Sequence, residues 1–108
     1  MYQEHDMDLA LTEYMDKIQA SYDKFNKPFE KSAYPNPNPR LNIRIDRGSK
    51  FYKVVVNNSV HSFVCRKAHD KWNIGDVLKA ASWAAPAKNF ARGNVLTQTY
   101  SNFSWAGL

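Results

Sequence analysis

The chain has 108 residues, a length that fits one domain and is short for two. Hydrophobic residues make up 44% of it and aromatic residues 14%, which is too apolar for a disordered chain, yet no apolar run approaches the roughly 20 residues of a membrane-spanning helix. The acidic N-terminus lacks the pattern of a signal peptide, and a single cysteine excludes an internal disulfide. These features predict one globular domain in a reducing cytoplasm, without a membrane partner.

Charge is distributed unevenly along the chain. Residues 1–30 carry seven Asp or Glu against three Lys, whereas residues 31–108 carry twelve Lys or Arg against three Asp. The excess of cations in the second part favours a phosphate-bearing partner, either a polymer or a small molecule. A solvated basic surface is the alternative.

An amphipathic helix is predicted near the N-terminus, within a helical segment that covers residues 1–30. Five apolar residues are spaced by four, three, four and three positions: Leu11, Met15, Ile18, Tyr22 and Phe25. This spacing places them on one stripe of a helix over residues 8–25. Packing of the stripe on a sheet is favoured over a coiled-coil seam, because two heptads are short.

The remainder of the chain is predicted to be a linker followed by a sheet. Prolines at every second position from Pro35 to Pro39 indicate an extended linker over residues 31–40. Alternating apolar and polar residues then indicate strands, with turns at residues 47–49 and 57–59. The expected strands cover residues 41–45, 51–56, 60–66 and 77–81, with a last strand within 97–105. Residues 41–108 should therefore form an antiparallel sheet of about five strands that carries a ligand loop, and the fold class is α+β.

The most unusual composition lies between Val77 and Asn94. Trp83 is the one large side chain among the small residues of 80–87, and the cations that flank this stretch are Lys79, Lys88 and Arg92. Arginine and lysine complement phosphate, and aromatic faces stack on bases. We interpret the segment as a loop that holds a small anion such as a nucleotide. The alternative is an alanine-rich loop that packs on the sheet.

A second basic group precedes and enters the first predicted strand. It contains Arg40, Arg44 and Arg47, and along an extended strand Arg40 and Arg44 would point to the same side. This group either extends the anion site or forms a solvated face of the sheet.

Residues suited to catalysis are few. His61 and His69 could take part in acid–base chemistry, but the histidines and the one cysteine do not have the spacing of a metal site. We expect His61, Phe63 and Cys65 to share one face of a strand, with Cys65 as a small buried hydrophobe rather than a nucleophile. The sequence thus argues weakly against an enzyme, and no metal or cofactor is expected.

Several runs of residues resemble small tailed-phage proteins. They are GDVLKAASW at 75–83, APAK at 85–88 and ARGNV at 91–95, with VHSF upstream at 60–63. With its length, N-terminal helix and sheet, the chain is similar to the first type of Thoeris anti-defence protein, a phage-encoded sponge. The resemblance implies that the chain binds cyclic ADP-ribose isomers, made by bacterial immune enzymes with a toll/interleukin-receptor domain, without cleaving them.

The same resemblance implies a location and an assembly. The protein would act in the cytoplasm of the infected bacterial host, as a dimer or hexamer with ligand near subunit contacts. Some members also bind cyclic oligonucleotides at separate sites. The matching run carries the implied ligand-binding residues: Lys88, Asn89, Phe90, Arg92, Gly93 and Asn94, with Trp83 as a packing or stacking residue. Arg40, Arg44 and Tyr100 are added from charge and aromatic character alone.

Three other functions remain open at this point. A basic sheet with exposed aromatic residues would also suit a single-stranded nucleic-acid binding protein. The helix stripe would suit a protein-interaction inhibitor. An enzyme that destroys a nucleotide could use His61 or His69.

Overall fold

The computed structural model describes residues 4–29, 40–88, 90–101 and 103–107. The fold is α+β, as predicted: one N-terminal helix followed by an antiparallel sheet. Helix α1 covers Glu4–Asn26 and continues into a short 3-10 turn at Lys27–Phe29. Six strands form the sheet in chain order: β1 Ile43–Arg47, β2 Phe51–Val56, β3 Ser59–Cys65, β4 Asp76–Lys79, β5 Gly93–Asn94 and β6 Thr99–Tyr100.

Helix α1 lies on one face of the sheet, which we call the helix face. The predicted stripe packs there, since Leu11, Ile18 and Tyr22 are buried, and the buried set is widened by Met7, Ala10 and Tyr14. A stripe this wide is typical of a helix on a sheet rather than of a coiled-coil seam. Phe25, at the end of the stripe, remains 53% exposed. The sheet therefore covers the part of the stripe from Leu11 to Tyr22.

Tight turns join the first three strands, where the sequence predicted them. The amide of Gly48 donates to the carbonyl oxygen of Phe51 at 2.8 Å. Asn57 and Asn58 both have positive φ, 49° and 68°, which matches the type I′ turn that suits the twist of a hairpin. Asparagine adopts this conformation more easily than most residues.

Alternation along the strands divides the side chains between two faces. The helix face carries the larger apolar core, to which the sheet contributes Tyr52, Val54, Val56, Val64, Val77 and Val95. The opposite face, which we call the outer face, carries a smaller cluster of Phe63, Cys65, Trp72 and Leu78.

His61 does not follow the predicted alternation. The pairing of β2 with β3 shifts between Val54, which lies opposite Ser62, and Val55, which lies opposite Val60. His61 is the extra residue of this bulge, and a bulge redirects a side chain. The imidazole contacts Tyr14 of helix α1, so the expectation that His61 shares a face with Phe63 and Cys65 was wrong.

The strand boundaries also differ in the second half of the chain. Strand β4 ends at Lys79, before the alanines, and β5 lies within the segment expected to be a ligand loop. Arg40 precedes β1 in a bend, so alternation does not place it on the same side as Arg44. Apart from Arg40, the predicted linker lies outside the described residues.

Candidate functional site

A closed turn of small residues presents Trp83 to solvent. The amides of Ala81 and Ser82 both donate to the carbonyl oxygen of Ala85, at 3.0 and 3.1 Å. Small side chains permit this close approach of the backbone. We call residues 81–85 the Trp83 turn, and the indole at its tip is 50% exposed.

The Trp83 turn is anchored next to β4. Ala80 forms a bridge with Pro86, and the amide of Ala87 donates to the carbonyl oxygen of Lys79 at 2.7 Å. The chain therefore leaves β4 and returns beside it, which fixes both ends of the turn to the sheet.

Two cations from neighbouring strands lie against the indole of Trp83. The Nζ of Lys53 is 4.5 Å from the ring centroid, and the guanidinium carbon of Arg44 is 5.9 Å from it. These distances are within the range of cation–π contacts. The structure thus brings together Arg44 and Trp83, both named from the sequence, and adds Lys53, which sequence reasoning missed. The sequence carries no signal for Lys53, because its position depends on the β1–β2 register, in which it lies opposite Asp46, two residues from Arg44.

A groove of about 390 Å³ lies beside this cluster on the outer face. It is lined by residues 46–51, with Lys53, Phe63 and Ala84. The rings of Phe51 and Phe63 meet edge to face at 5.9 Å and form an aromatic floor. The cationic side chains of the lining are Lys50 and Lys53, whereas the side chain of Arg47 contacts Tyr52 and Asp8 on the helix face. We call this cavity the outer groove; its size falls in the range of small-molecule sites.

Two ion pairs hold arginines near the outer groove. The Nε of Arg44 is 3.2 Å from Oδ1 of Asp46, and Nη2 of Arg47 is 3.0 Å from Oδ1 of Asp8 in helix α1. All four side chains are about half exposed, so each pair contributes little to stability, about 0–1 kcal/mol. The first pair orients charge beside the outer groove, whereas the second joins the end of β1 to helix α1 on the helix face.

A second aromatic–cation pair lies further along the loop. The guanidinium carbon of Arg92 is 4.2 Å from the ring centroid of Phe90, and this ring is 54% exposed. The Nε of Arg92 is buried and has no hydrogen-bond partner among the described residues. Lys88 is exposed, whereas Asn89 lies outside the described residues. Arg92 thus has an unused donor beside an exposed aromatic face.

Gly93 and Asn94 have roles within the fold. Gly93 has φ +156°, and a Cβ at this position would collide with the carbonyl oxygen of Thr99 in the neighbouring strand. The side-chain amide of Asn94 donates to the carbonyl oxygen of Ile74 at 2.9 Å and to Oδ1 of Asp76 at 3.0 Å. The run of Arg, Gly and Asn at 92–94 therefore has a structural explanation at its last two positions.

Tyr100 lies on the helix face, away from Trp83. Its ring stacks on Tyr14 at 5.4 Å, and Nζ of Lys17 is 5.3 Å from its centroid. Burial, with a smaller contribution from the carboxylate of Glu13, raises the pKa of Tyr100 to about 12. The sheet separates this residue from the outer groove.

The buried His61 belongs to a hydrogen-bonded network between helix and sheet. Its Nε2 lies 2.8 Å from the carbonyl oxygen of Ser104, which can only accept, so Nε2 carries the proton. Its Nδ1 therefore accepts, at 3.0 Å from the Oγ of Ser62, and this hydroxyl lies 2.8 Å from that of Tyr14. Burial lowers the pKa of His61, outweighing the Ser104 hydrogen bond.

The other groups considered for catalysis are constrained as well. Burial, and to a smaller extent the charge of Asp76, raises the pKa of Cys65 to about 12, which disfavours the thiolate. His69 is more accessible: its Nδ1 lies 2.8 Å from the carbonyl oxygen of Lys67, and its ring meets Phe51 at 5.1 Å. His69 is therefore the histidine in contact with the floor of the outer groove.

Fold and site together define a small α+β domain with an aromatic and cationic groove on the outer face of its sheet. The chain belongs to a family of unknown function, DUF7717, whose model matches residues 2–108. No curated protein and no solved structure matches the chain. Within the described ranges, no helix is long and apolar enough to cross a membrane, and no three His, Cys, Asp or Glu side chains cluster in a way that could hold a metal ion.

Proposed function

We propose that this protein binds and sequesters, without cleaving it, a small nucleotide signal of the cyclic ADP-ribose class. One observation carries the proposal: Trp83 is held half exposed on a closed turn, with Lys53 at 4.5 Å, beside a groove that other cations line. An aromatic face binds a base by stacking, and neighbouring cations bind phosphate. The resemblance to the first type of Thoeris anti-defence protein supplies the cyclic ADP-ribose class.

The rigidity of the site supports capture of a ligand. Both ends of the Trp83 turn are fixed by backbone hydrogen bonds, so the indole is positioned before a ligand arrives. Preorganisation of this kind raises affinity because less conformational freedom is lost on binding. Phe90 and Arg92 offer a second aromatic–cation pair, and the unused Nε donor of Arg92 suits an anionic oxygen.

The chemistry of the accessible groups supports holding rather than conversion. His61 and Cys65 are buried, and their pKa shifts favour the neutral forms. His69 is the residue through which hydrolysis would act if it occurred, because it contacts Phe51 in the groove floor. The proposed activity needs no cofactor or metal.

The biological setting comes from the resemblance and belongs to the same proposal. A phage would encode the protein, which would act in the cytoplasm of the infected bacterium and prevent an immune effector from sensing the signal. Assembly as dimers or hexamers would enclose the ligand further, since a domain of this size encloses a ligand poorly by itself.

The experiment is a titration of the protein with cyclic ADP-ribose isomers, in which calorimetry measures binding and the thermal unfolding midpoint measures the change in stability. A ligand selective for the native state raises stability by about 2.7 kcal/mol at 100 times its Kd. Heat denaturation should then release the ligand with its mass unchanged. Absence of a midpoint shift with every isomer would exclude sequestration of this class, and release of a hydrolysed product that disappears in His69→Ala would establish an enzyme instead.

Matched variants locate the binding in the groove. Lys53→Ala should weaken binding by about 10-fold or more, because a charge-assisted contact is lost. Lys71→Ala is the control, since Nζ of Lys71 lies 4.9 Å from the ring centroid of Trp72, the same kind of pair outside the groove lining. Equal losses in the two variants would contradict the assignment of the site.

Single-stranded nucleic acid is the second candidate, favoured by the exposure of both Trp83 and Phe90 beside cations. Salt dependence separates the two functions. Binding of an oligonucleotide weakens steeply with salt, in proportion to the phosphates contacted, whereas a small enclosed ligand responds less. An oligonucleotide that binds more tightly than every cyclic ADP-ribose isomer would favour this candidate.

A further inference from the structure

The outer groove contains one feature that phosphate binding does not explain. Its lining contains the cations Lys50 and Lys53, yet Asp46 lines it as well. A carboxylate repels phosphate, so its presence among these cations points to a second kind of ligand group. The side chain of Asp46 is 45% exposed and therefore accessible.

The carboxylate of Asp46 is also held in position. Its Oδ1 accepts a hydrogen bond from Nε of Arg44 at 3.2 Å, and the strand register places Asp46 opposite Lys53. The same Arg44 and Lys53 contact the indole of Trp83. The carboxylate thus belongs to the same cluster as the aromatic platform and the cations of the groove.

This set of groups matches the set of groups in a nucleotide. An aromatic face takes the base, cations take the phosphates, and a carboxylate, which only accepts hydrogen bonds, takes groups that donate them. The ribose between base and phosphate offers two neighbouring hydroxyl donors. Carboxylates bind ribose hydroxyls in this way in dinucleotide-binding folds.

We infer that the outer groove is a ribonucleotide site in which Asp46 binds the ribose hydroxyls and selects ribose over 2′-deoxyribose. Base stacking on Trp83 and phosphate contacts from Lys50 and Lys53 complete the site. This inference rests on the proposed function, because it assigns the ligand's sugar to a residue of the same site.

The test compares cyclic ADP-ribose with its analogue that lacks the 2′-hydroxyl of the adenosine ribose, by calorimetry. The wild-type chain should bind the ribose form roughly 10- to 150-fold more tightly, the range expected for a hydrogen bond to a charged group. Asp46→Asn should weaken binding of the ribose form and leave the deoxy form unchanged or tighter, because the repulsion of phosphate is lost. Asp70→Asn, outside the groove lining, is the control and should preserve the preference.

The outcomes distinguish the inference from the proposed function. If the wild-type chain binds neither compound and no other cyclic ADP-ribose isomer, the proposed function fails and the inference fails with it. If it binds another isomer only, sequestration stands and the recognition of the adenosine ribose by Asp46 is overturned. If it binds both equally, or if Asp46→Asn changes both affinities by the same factor, sequestration stands and the role of Asp46 is overturned. An unchanged thermal unfolding midpoint for Asp46→Asn without ligand confirms that the variant is folded.

Discussion

The two faces of the sheet use the same alternating strands for different purposes. On the helix face, side chains such as Val54, Val64 and Val77 are fully buried beneath Tyr14 and its neighbours in α1. On the outer face, a small apolar cluster gives way to the cations, the exposed indole and the groove. The proposed ligand site therefore lies on the side of the sheet opposite the main core, where a substitution can alter binding without altering stability.

Polar groups show the same contrast. On the helix face the hydroxyls of Tyr14 and Ser62 and the imidazole of His61 satisfy one another and a backbone carbonyl. At the two aromatic–cation pairs, by contrast, Arg92 has a buried Nε without a hydrogen-bond partner among the described residues, and Lys53 contacts the solvent-exposed ring of Trp83.

The largest effect on stability should come from the helix face. Ile18 is fully buried between α1 and the sheet, so Ile18→Ala should lower the free energy of unfolding by about 2–5 kcal/mol, from lost burial and the cavity left behind. Leu9 lies on the same helix but is 61% exposed, and Leu9→Ala should change this value by less than about 0.5 kcal/mol. Denaturant unfolding measures both. Similar losses would contradict the assignment of the two helix surfaces.

How far the sequence predicts this fold depends on whether the pattern is local. The spacing from Leu11 to Tyr22 predicts α1 because each residue contacts the same sheet, and the paired asparagines predict a hairpin turn because both tolerate positive φ. The bulge at His61 arises from a register between two strands, and β5 is only two residues long. Neither feature has a periodicity that a sequence could display.

The candidate site was less predictable from the sequence than the fold. Trp83 stood out because small residues surround it, and Arg44 because of its charge. Lys53 escaped notice because its role depends on the β1–β2 register and on the anchoring of the Trp83 turn. Asn94 looked like a ligand residue by type, whereas its amide bonds to Ile74 and Asp76. Residue type indicates what a side chain can bind, and only the fold determines what it meets.

An intermediate effect should appear when the buried histidine is titrated. Burial lowers the pKa of His61 in the folded chain below its ordinary value of 6.5, which applies to the unfolded chain. At a pH between the folded and the unfolded pKa, the unfolded chain therefore binds more protons than the folded chain. Stability should therefore rise with pH in this window and fall as the pH drops below about 6.5. The contribution of one group is at most about 1.4 kcal/mol per pH unit.

Denaturant unfolding curves measured at several values between about pH 5 and 8, the range in which histidine normally changes charge, check this expectation. In His61→Gln the part of the slope due to His61 should vanish, whereas His69→Gln should retain it because that variant keeps His61. A slope that persists unchanged in His61→Gln would contradict the assignment of the titrating group to His61.

The smallest effect on stability should come from the residue that matters most for the proposed ligand. Trp83 is half exposed and its ring contacts the cations of Lys53 and Arg44, so Trp83→Ala should lower the free energy of unfolding by less than about 1 kcal/mol, the value of an exposed cation–π contact. Trp83→Phe keeps an aromatic face and should lower the free energy of unfolding by less than Trp83→Ala does. The two variants should differ clearly in their affinity for cyclic ADP-ribose: Trp83→Ala should lose binding, and Trp83→Phe should retain part of it. If Trp83→Ala instead destabilised the chain as much as Ile18→Ala, the indole would be a core residue of the outer face, and the division between a stabilising face and a binding face would not hold.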